Sequence, residues 1–378
     1  LKTLIMRIDQ NQAHSIKQIA QQLTIIDYTI GMWTLIGIIS LAWAARPNEA
    51  ITELRVLFIE PLLFYIILRS TTKHRETVIC LTNTLIAAGV VVALISLFQF
   101  VQGQSIITAE DGVRRLAGIY GSPNNLGLFL GRIIPIALAQ FLILPGRTNR
   151  ISSGFALGII GATAILSQSA GAIFLGIPSA ILTVAVLTYR RKAWPVVIVG
   201  LSGLIAIFSL AQQSARFSKL LDFSTGTNFI RLRVWQSTIN ILKDHPITGL
   251  GLDQFLYAFR GKYISPDAWQ EPNLSHPHNI ILDFWVRLGL SGVFLLVIIQ
   301  IAFWKSALKA YYMFQNQDKK LYAIVIGVMG TMVNLLAHGL VDNSVFVIDL
   351  AYVFVFILGI TVSLSELNLG AVRSEENI

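Results

Sequence analysis

Hydrophobic and polar residues form long alternating blocks along the chain. The apolar blocks lie at about 25–45, 51–69, 78–100, 126–144, 151–168, 171–189, 194–211, 280–304, 321–341 and 345–364. Each block is long enough to cross a bilayer as an α-helix, which takes roughly 17 to 25 residues. Block 51–69 is the weakest, since it contains Glu53, Arg55 and Glu60. The pattern predicts an all-α, polytopic helical membrane protein with about ten transmembrane helices.

One polar connection is much longer than the others, at 212–279. A polar segment of this length is expected to fold largely outside the hydrocarbon, where water can satisfy its backbone. We therefore divide the chain into N-terminal transmembrane helices at 1–211, a large extracytoplasmic loop at 212–279, and 280–378, which holds three transmembrane helices and a short cytoplasmic tail.

The composition agrees with a membrane protein, because 54% of the residues are hydrophobic and only 13% are charged. Soluble domains carry about 25% charged residues, so an ordinary soluble enzyme is excluded. The single cysteine, Cys80, excludes a disulfide framework and a cysteine-based zinc cluster.

The net charge of +9 is explained by how the basic residues are distributed. Sixteen lie in loops on one side of the predicted helices: Lys2, Arg7, Lys17, Arg69, Lys73, Arg75, Arg147, Arg150, Arg190, Arg191, Lys192, Lys305, Lys309, Lys319, Lys320 and Arg373. Short loops on the other side hold only Arg46, Arg114 and Arg115. Because basic loops stay in the cytoplasm, both termini are predicted to be cytoplasmic and 212–279 to face outward. Nucleic-acid binding is not needed to explain the charge.

Two polar stretches on the predicted outer side are candidates for a binding site. Ser122 and Pro123 are typical of a helix start, and the free N–H groups of such a start, beside Arg115, favour an anionic ligand. A simple capped helix is the alternative. In the long loop, Arg231 and Arg233 lie near the start of a predicted helix of about fifteen residues that ends before Pro246. Since they are two positions apart, only one of them is expected to face a given site.

The sequence His276-Pro277-His278-Asn279 precedes the eighth apolar block. A histidine here either caps that helix or acts as a base at the membrane surface. A zinc site is disfavoured, because there is no nearby cysteine and only Asp267 and Glu271 are loosely placed around the pair. We therefore predict no metal.

Ionisable residues predicted to lie in the membrane occur in two pairs spaced four apart, Asp283 with Arg287 and His338 with Asp342. Such residues are costly in a membrane, so they usually pair or line a polar cavity. We interpret the first pair as an internal ion pair. For His338 and Asp342, a structural network and a role in a site both remain open.

Four stretches, taken in order, resemble the O-antigen ligase and polymerase superfamily of bacterial membrane glycosyltransferases. They are Arg115 to Asn124, Arg231 with Trp235, the turn His245 to Gly251, and His278-Asn279 followed after nine residues by Gly289 and Gly292. Together they cover about 115–292. The resemblance implies a location in the bacterial cytoplasmic (inner) membrane, among membrane lipids.

The resemblance also implies the substrate and the reaction. A glycan is moved from polyprenyl pyrophosphate to an acceptor hydroxyl on a glycan, lipid or protein, as in lipopolysaccharide and other polysaccharide biosynthesis of the cell envelope. Arg115 and Arg231 are expected to bind the pyrophosphate, and His278 is expected to act as the catalytic base. Asn124, Asn279, His338 and Asp342 are possible supporting residues. Neither a metal nor another cofactor is expected.

The chain departs from the family at two points. The family commonly has Ser-Arg-Gly-Ala at a helix hairpin, where this chain has Ser169-Ala170-Gly171-Ala172. Family members usually have about twelve spans, so we expect that an N-terminal helix pair is missing. The alternatives to a ligase are an O-antigen polymerase, a protein O-oligosaccharyltransferase, and a transporter of a solute such as inorganic carbon.

Overall fold

The computed structural model describes residues 23–108, 112–213, 217–218, 222–268 and 271–367. The two terminal segments, which carry part of the charge count for cytoplasmic termini, lie outside the described residues. The α-helices are α1 (Ile25–Ser40), α2 (Pro47–Leu54), α3 (Glu60–Thr71), α4 (Arg75–Val101), α5 (Pro123–Ile143), α6 (Arg147–Leu166), α7 (Ile177–Tyr189), α8 (Trp194–Ala211), α9 (Gly226–Asp244), α10 (Phe255–Ala258), α11 (Ile280–Phe314), α12 (Lys319–Gly339) and α13 (Ile348–Glu366).

Within the described ranges, nine helical segments are long and apolar enough to cross a membrane. They comprise α1, α4 to α8 and α11 to α13, with α1 and α7 extended by adjoining helical turns. This arrangement confirms an all-α polytopic membrane protein. The described strands, β1 (Ile106–Thr108) and β2 (Arg114–Leu116), form one short antiparallel hairpin between α4 and α5, with Ile107 opposite Arg115.

The remaining predicted span, 51–69, is helical but is not among the nine segments that are apolar enough to cross a membrane. It consists of α2, a π-helical turn and α3, and its charged side chains, which include Glu53, Arg55 and Glu60, lower its hydropathy. The segment nevertheless returns the chain along α1. At one end the Arg46 backbone N–H donates to Gln254 Oε1 (2.8 Å), and at the other the Arg69 guanidinium donates to Asp27 near the start of α1 (2.9 Å).

The centre of the bundle is formed by α5, α12 and α13, most of whose side chains are buried. At the edge, α8 packs against α7 and has no buried residue. The start of α5 follows its sequence signals: Ser122 is the N-cap, its hydroxyl accepts from the Asn125 N–H (3.5 Å), and Pro123 opens the helix. This predicted helix start is confirmed.

Helix α11 is kinked at Gly289, and the turn that follows α9 packs against this kink. Gly289 has φ of +68°, and a β-carbon there would overlap the carbonyl oxygen of Ile247. The Leu290 N–H donates to that same oxygen (2.9 Å), and the Leu250 N–H donates to the Val286 carbonyl (2.7 Å). Two of the sequence stretches singled out above therefore pack together, and glycine is required at 289 because the two backbones touch.

Candidate functional site

The site is centred on an imidazole and a carboxylate from two loops. His278 precedes α11 and Asp342 follows α12, and His278 Nδ1 lies 3.0 Å from Asp342 Oδ1. The backbone of His278 has φ of +51°, in the left-handed region that disfavours residues with a side chain. Such conformations persist where the surrounding structure imposes them, and they are common at functional sites.

Asn279 provides the cap of α11 and also reaches the second loop. Its Oδ1 accepts from the backbone N–H groups of Ile281 (3.0 Å) and Leu282 (3.1 Å), while its Nδ2 donates to the Leu340 carbonyl (3.0 Å). The interpretation of a neighbouring histidine as the helix cap is therefore wrong, since the asparagine already fills that position. Asn279 instead links the His278 loop to the loop of Asp342.

His276 lies beside His278 and forms the third member of the cluster. Its Nε2 is 3.2 Å from His278 Nδ1 and 3.8 Å from Asp342 Oδ1, and its Nδ1 is 3.1 Å from Ser275 Oγ. Burial lowers the pKa of His276, and the charge of His278 lowers it further. His276 is therefore expected to be neutral at neutral pH and to contribute hydrogen bonding rather than charge.

Asp342 is almost completely buried, and its partners keep it ionised. Burial alone raises the pKa of this carboxyl, but the adjacent His276, the hydrogen bond with His278 and the positive charge of Arg231 together hold it well below its usual range. A carboxylate held in this way can orient the imidazole of His278.

The two arginines of α9 point to different partners. Arg231 NH2 lies 3.8 Å from Asp342 Oδ2, and its side chain is 14% exposed. Arg233 NH2 lies 2.6 Å from Asp267 Oδ2, and its NH1 donates to Gln236 (3.0 Å). The predicted divergence of the two side chains is confirmed, and Arg231 is the one that faces the His278–Asp342 pair. The helix is longer than predicted, with 19 residues.

Arg115 belongs to a second group of polar residues near the start of α5. Its NH2 donates to Asn124 Oδ1 (2.9 Å), and its Nε donates to the Ser167 carbonyl at the end of α6 (3.3 Å). The structure thus brings together two of the predicted site residues, Arg115 and Asn124. Its described contacts do not join Arg115 directly to His278.

His338 lies between the two groups, buried in the last turn of α12. Its Nε2 is 3.5 Å from Ser169 Oγ, in the turn that follows Ser167, and a side chain at Gly171 would overlap the imidazole. His338 therefore packs against the hairpin that has Ala170 in place of the family's arginine. Its ring is therefore part of the buried packing and not of the cluster formed by His276, His278 and Asp342.

His276, His278 and Asp342 are also a candidate set of metal ligands. One ligand atom from each residue lies within 4.8 Å of the others, and two histidines with one carboxylate are a common zinc set. Along the sequence, Asp267 and Glu271 lie near the two histidines and Asp342 does not, so the set with Asp342 is not apparent from it. Arg231 places a positive charge beside Asp342, which opposes binding of a cation at that carboxylate.

Comparison with known families adds evidence for the function. Residues 155–297 match the family model described as O-Antigen ligase. The resemblance to the O-antigen ligase superfamily is confirmed. The matched region contains Arg231, His278 and Asn279, and it ends before His338 and Asp342. No curated protein matches the chain.

The family match and the helices together support a coarse assignment. Enzymes of this family are glycosyltransferase-like, and the described apolar helices are those of an integral membrane protein. The long connection between α8 and α11 contributes Arg231 and His278 to one cluster. The importance of Asp342 is not apparent from the sequence, because its spacing from His338 is visible there but its proximity to His278 is not.

Proposed function

We propose that the protein is an O-antigen ligase-like glycosyltransferase. It moves a glycan from polyprenyl pyrophosphate to an acceptor hydroxyl at the outer face of the bacterial cytoplasmic membrane. The observation that carries the proposal is the His278–Asp342 pair at 3.0 Å, with the Arg231 guanidinium 3.8 Å from the same carboxylate. A base and a phosphate-binding cation are thus adjacent at a partly exposed position.

His278 is proposed to act as the general base. Its Nδ1 faces Asp342, so the neutral ring that donates Nδ1–H to the carboxylate leaves Nε2 to accept a proton. The acceptor oxygen forms a bond to the anomeric carbon of the glycan, and its proton passes to Nε2. The bond from that carbon to the pyrophosphate oxygen breaks, and the electron pair leaves with polyprenyl pyrophosphate.

Arg231 and Arg115 are proposed to bind the pyrophosphate. Guanidinium groups make forked hydrogen bonds to phosphate oxygens and stabilise the negative charge that grows on the leaving group. Because the leaving group is already a stable anion, the reaction needs charge stabilisation more than a proton donor. Asn124 is proposed to hold Arg115, and no metal is required in this mechanism.

The outward orientation of the site is part of the proposal. The distribution of basic residues supports it, and the site residues lie at the end of the bundle opposite to Arg69 and Arg75. An orientation test uses a Cys80→Ala background with Lys243→Cys, because Lys243 is exposed on α9. The new thiol should react with an impermeant reagent in intact spheroplasts. Labelling only after lysis would overturn the orientation.

The acceptor distinguishes a ligase from an O-antigen polymerase or a protein O-oligosaccharyltransferase. These three activities share the donor chemistry proposed for His278 and Arg231. A solute transporter is less well supported. Arg287 is buried and paired with both Asp283 and Glu53, so these charges do not line an open polar pathway.

A cellular experiment tests the function. Cells carrying the wild-type gene should attach glycan to a surface acceptor, and cells with His278→Ala should accumulate lipid-linked glycan instead. His245→Ala is the matched control, because His245 is an exposed histidine in the same loop region and has no described contact with the cluster. Normal surface glycan in the His278→Ala cells would refute the proposed base. If the protein is instead a polymerase, the His278→Ala cells should carry shorter glycan chains. If it is a transporter, the amounts of surface glycan and of lipid-linked glycan should both stay unchanged.

A further inference from the structure

Arg132 is a buried cation in the middle of α5, and its surroundings are unusual. Its side chain is completely buried, and the described residues offer it no carboxylate partner. Its NH1 donates to the Leu350 carbonyl (2.8 Å), and its NH2 donates to the Ser344 carbonyl. The guanidinium therefore bridges the Ser344 carbonyl, in the loop between α12 and α13, and the Leu350 carbonyl, in the first turn of α13.

Burying a charge inside the bundle is expensive when no opposite charge compensates for it. An apolar side chain would pack at this position without that cost. The guanidinium of arginine, however, can donate to two carbonyls at once from a fixed planar fork, whereas an apolar residue has no donor and lysine has only a compact, rotatable ammonium. The backbone of Arg132 is itself fixed, because Thr331 Oγ1 donates to its carbonyl (2.7 Å).

Ser344 lies two residues after Asp342, in the same loop. Asp342 Oδ1 accepts from the Asn343 N–H (2.9 Å), and Asn343 closes a turn on Phe346 through two hydrogen bonds (3.0 and 3.1 Å). Ser344, held by Arg132, lies within that turn. A chain of short contacts thus runs from the buried guanidinium to the carboxylate beside His278.

We propose that Arg132 is a positioning residue that fixes the Asp342 loop and thereby holds Asp342 in place against His278. The inference rests on the proposed function, because it assumes that Asp342 serves the transfer reaction. Arg132 does not touch substrate in this account, since it is fully buried. Its contribution to catalysis therefore passes through Asp342 alone.

A double-mutant cycle in the purified, reconstituted full chain tests the inference. Displacement of a catalytic group by about 1 Å can cost roughly 10²-fold in rate, so Arg132→Gln should lower kcat by about that factor and leave the donor KM nearly unchanged. Added to Asp342→Asn, the same substitution should cost less than about twofold more, since the residue that it positions is already disabled. Arg132→Lys, which keeps the charge, is also measured alone and together with Asp342→Asn. It replaces Arg132→Gln in the test if the glutamine variant does not fold.

Gln140→Leu is the matched control, because Gln140 is also buried on α5 and donates to Asn83 (2.9 Å) far from the Asp342 loop. It should lower thermal stability and leave kcat unchanged. Losses from Arg132 and Asp342 variants that multiply, or a loss confined to KM, would overturn the positioning role. If Asp342→Asn and His278→Ala retain full activity, it is the proposed function that fails, and the two failures are therefore distinguishable.

Discussion

Two clusters of charged residues, one at the start of α11 and one within it, differ in their exposure to solvent. The first, around His278 at the start of the helix, is partly accessible, with side-chain exposures of 17% for His278 and 14% for Arg231. The second, around Arg287 two turns further on, is sealed, with exposures of 5% for Arg287 and 1% for Asp283. Both combine arginine with carboxylate, so composition alone does not separate them.

The clusters also differ in how completely their charges are paired. Arg287 donates from Nε to Asp283 Oδ1 (2.8 Å) and from NH1 to Glu53, so its guanidinium is paired with two carboxylates. Arg231 approaches Asp342 only to 3.8 Å, which is longer than a hydrogen bond. A loosely held arginine beside an oriented imidazole is able to bind an anion. This contrast supports the proposal that the open cluster binds substrate, whereas the pairing of the sealed cluster is that of a structural ion pair.

The largest expected effect comes from Asp342→Asn. Loss of the carboxylate removes the orientation of His278, so transfer should fall by about 10³-fold, within the range for a disabled general base. Thermal unfolding should change little, because asparagine keeps the size and part of the hydrogen bonding. Measuring kcat and the unfolding midpoint on the same preparation checks this. A large loss of stability with unchanged kcat would assign Asp342 to the scaffold.

Arg287→Met should have the opposite signature. Removing this guanidinium leaves Asp283 and Glu53 buried without a counter-ion, which typically costs about 3 to 5 kcal/mol of stability. The protein that still folds should transfer glycan at close to the wild-type rate per molecule. Denaturant unfolding together with activity normalised to folded protein separates the two effects. A specific loss of kcat in fully folded Arg287→Met would place the sealed cluster in the reaction.

A smaller effect is expected from exchanging arginine for lysine on α9. Arg231→Lys keeps the charge and loses the fork, so transfer should fall roughly tenfold or more. Arg233→Lys should be nearly silent, because Arg233 pairs with Asp267 at the surface. Initial rates at saturating donor compare the two directly. A loss confined to Arg233→Lys would show that the wrong face of α9 has been assigned to the substrate.

The smallest expected effect is a pH dependence of stability that arises from His276. Burial depresses its pKa below the ordinary 6.5, so the unfolded chain binds a proton that the native state does not. Stability is therefore fully present above pH 6.5 and is lost progressively as the pH falls from 6.5 toward the folded pKa. His276→Gln should remove this part of the loss. Unfolding midpoints from pH 7 to pH 5 test the difference, and parallel curves for the two proteins would contradict it.

Much of the fold follows from the sequence, because spans such as α4 and α8 are uniformly apolar. Segment 51–69 was harder to interpret, since its charges find partners only in the folded bundle. Glu53 meets Arg287 across 234 positions of the chain. The proximity of Arg231 to the histidine loop followed from motif resemblance, whereas that of Asp342 depended on how the loop after α12 packs. Hydrophobic patterning carries no information about that packing, and the candidate metal set was missed for the same reason.

The central claim is that His278 is a metal-independent base in transfer from polyprenyl pyrophosphate. The most direct measurement follows release of polyprenyl pyrophosphate from a lipid-linked glycan by the purified protein in vesicles containing EDTA. The wild-type protein should turn over under these conditions with an acceptor present, and His278→Ala should be slower by about 10² to 10⁴-fold. Equal rates for the two proteins would contradict the account, and so would wild-type activity that vanishes with EDTA and returns with zinc.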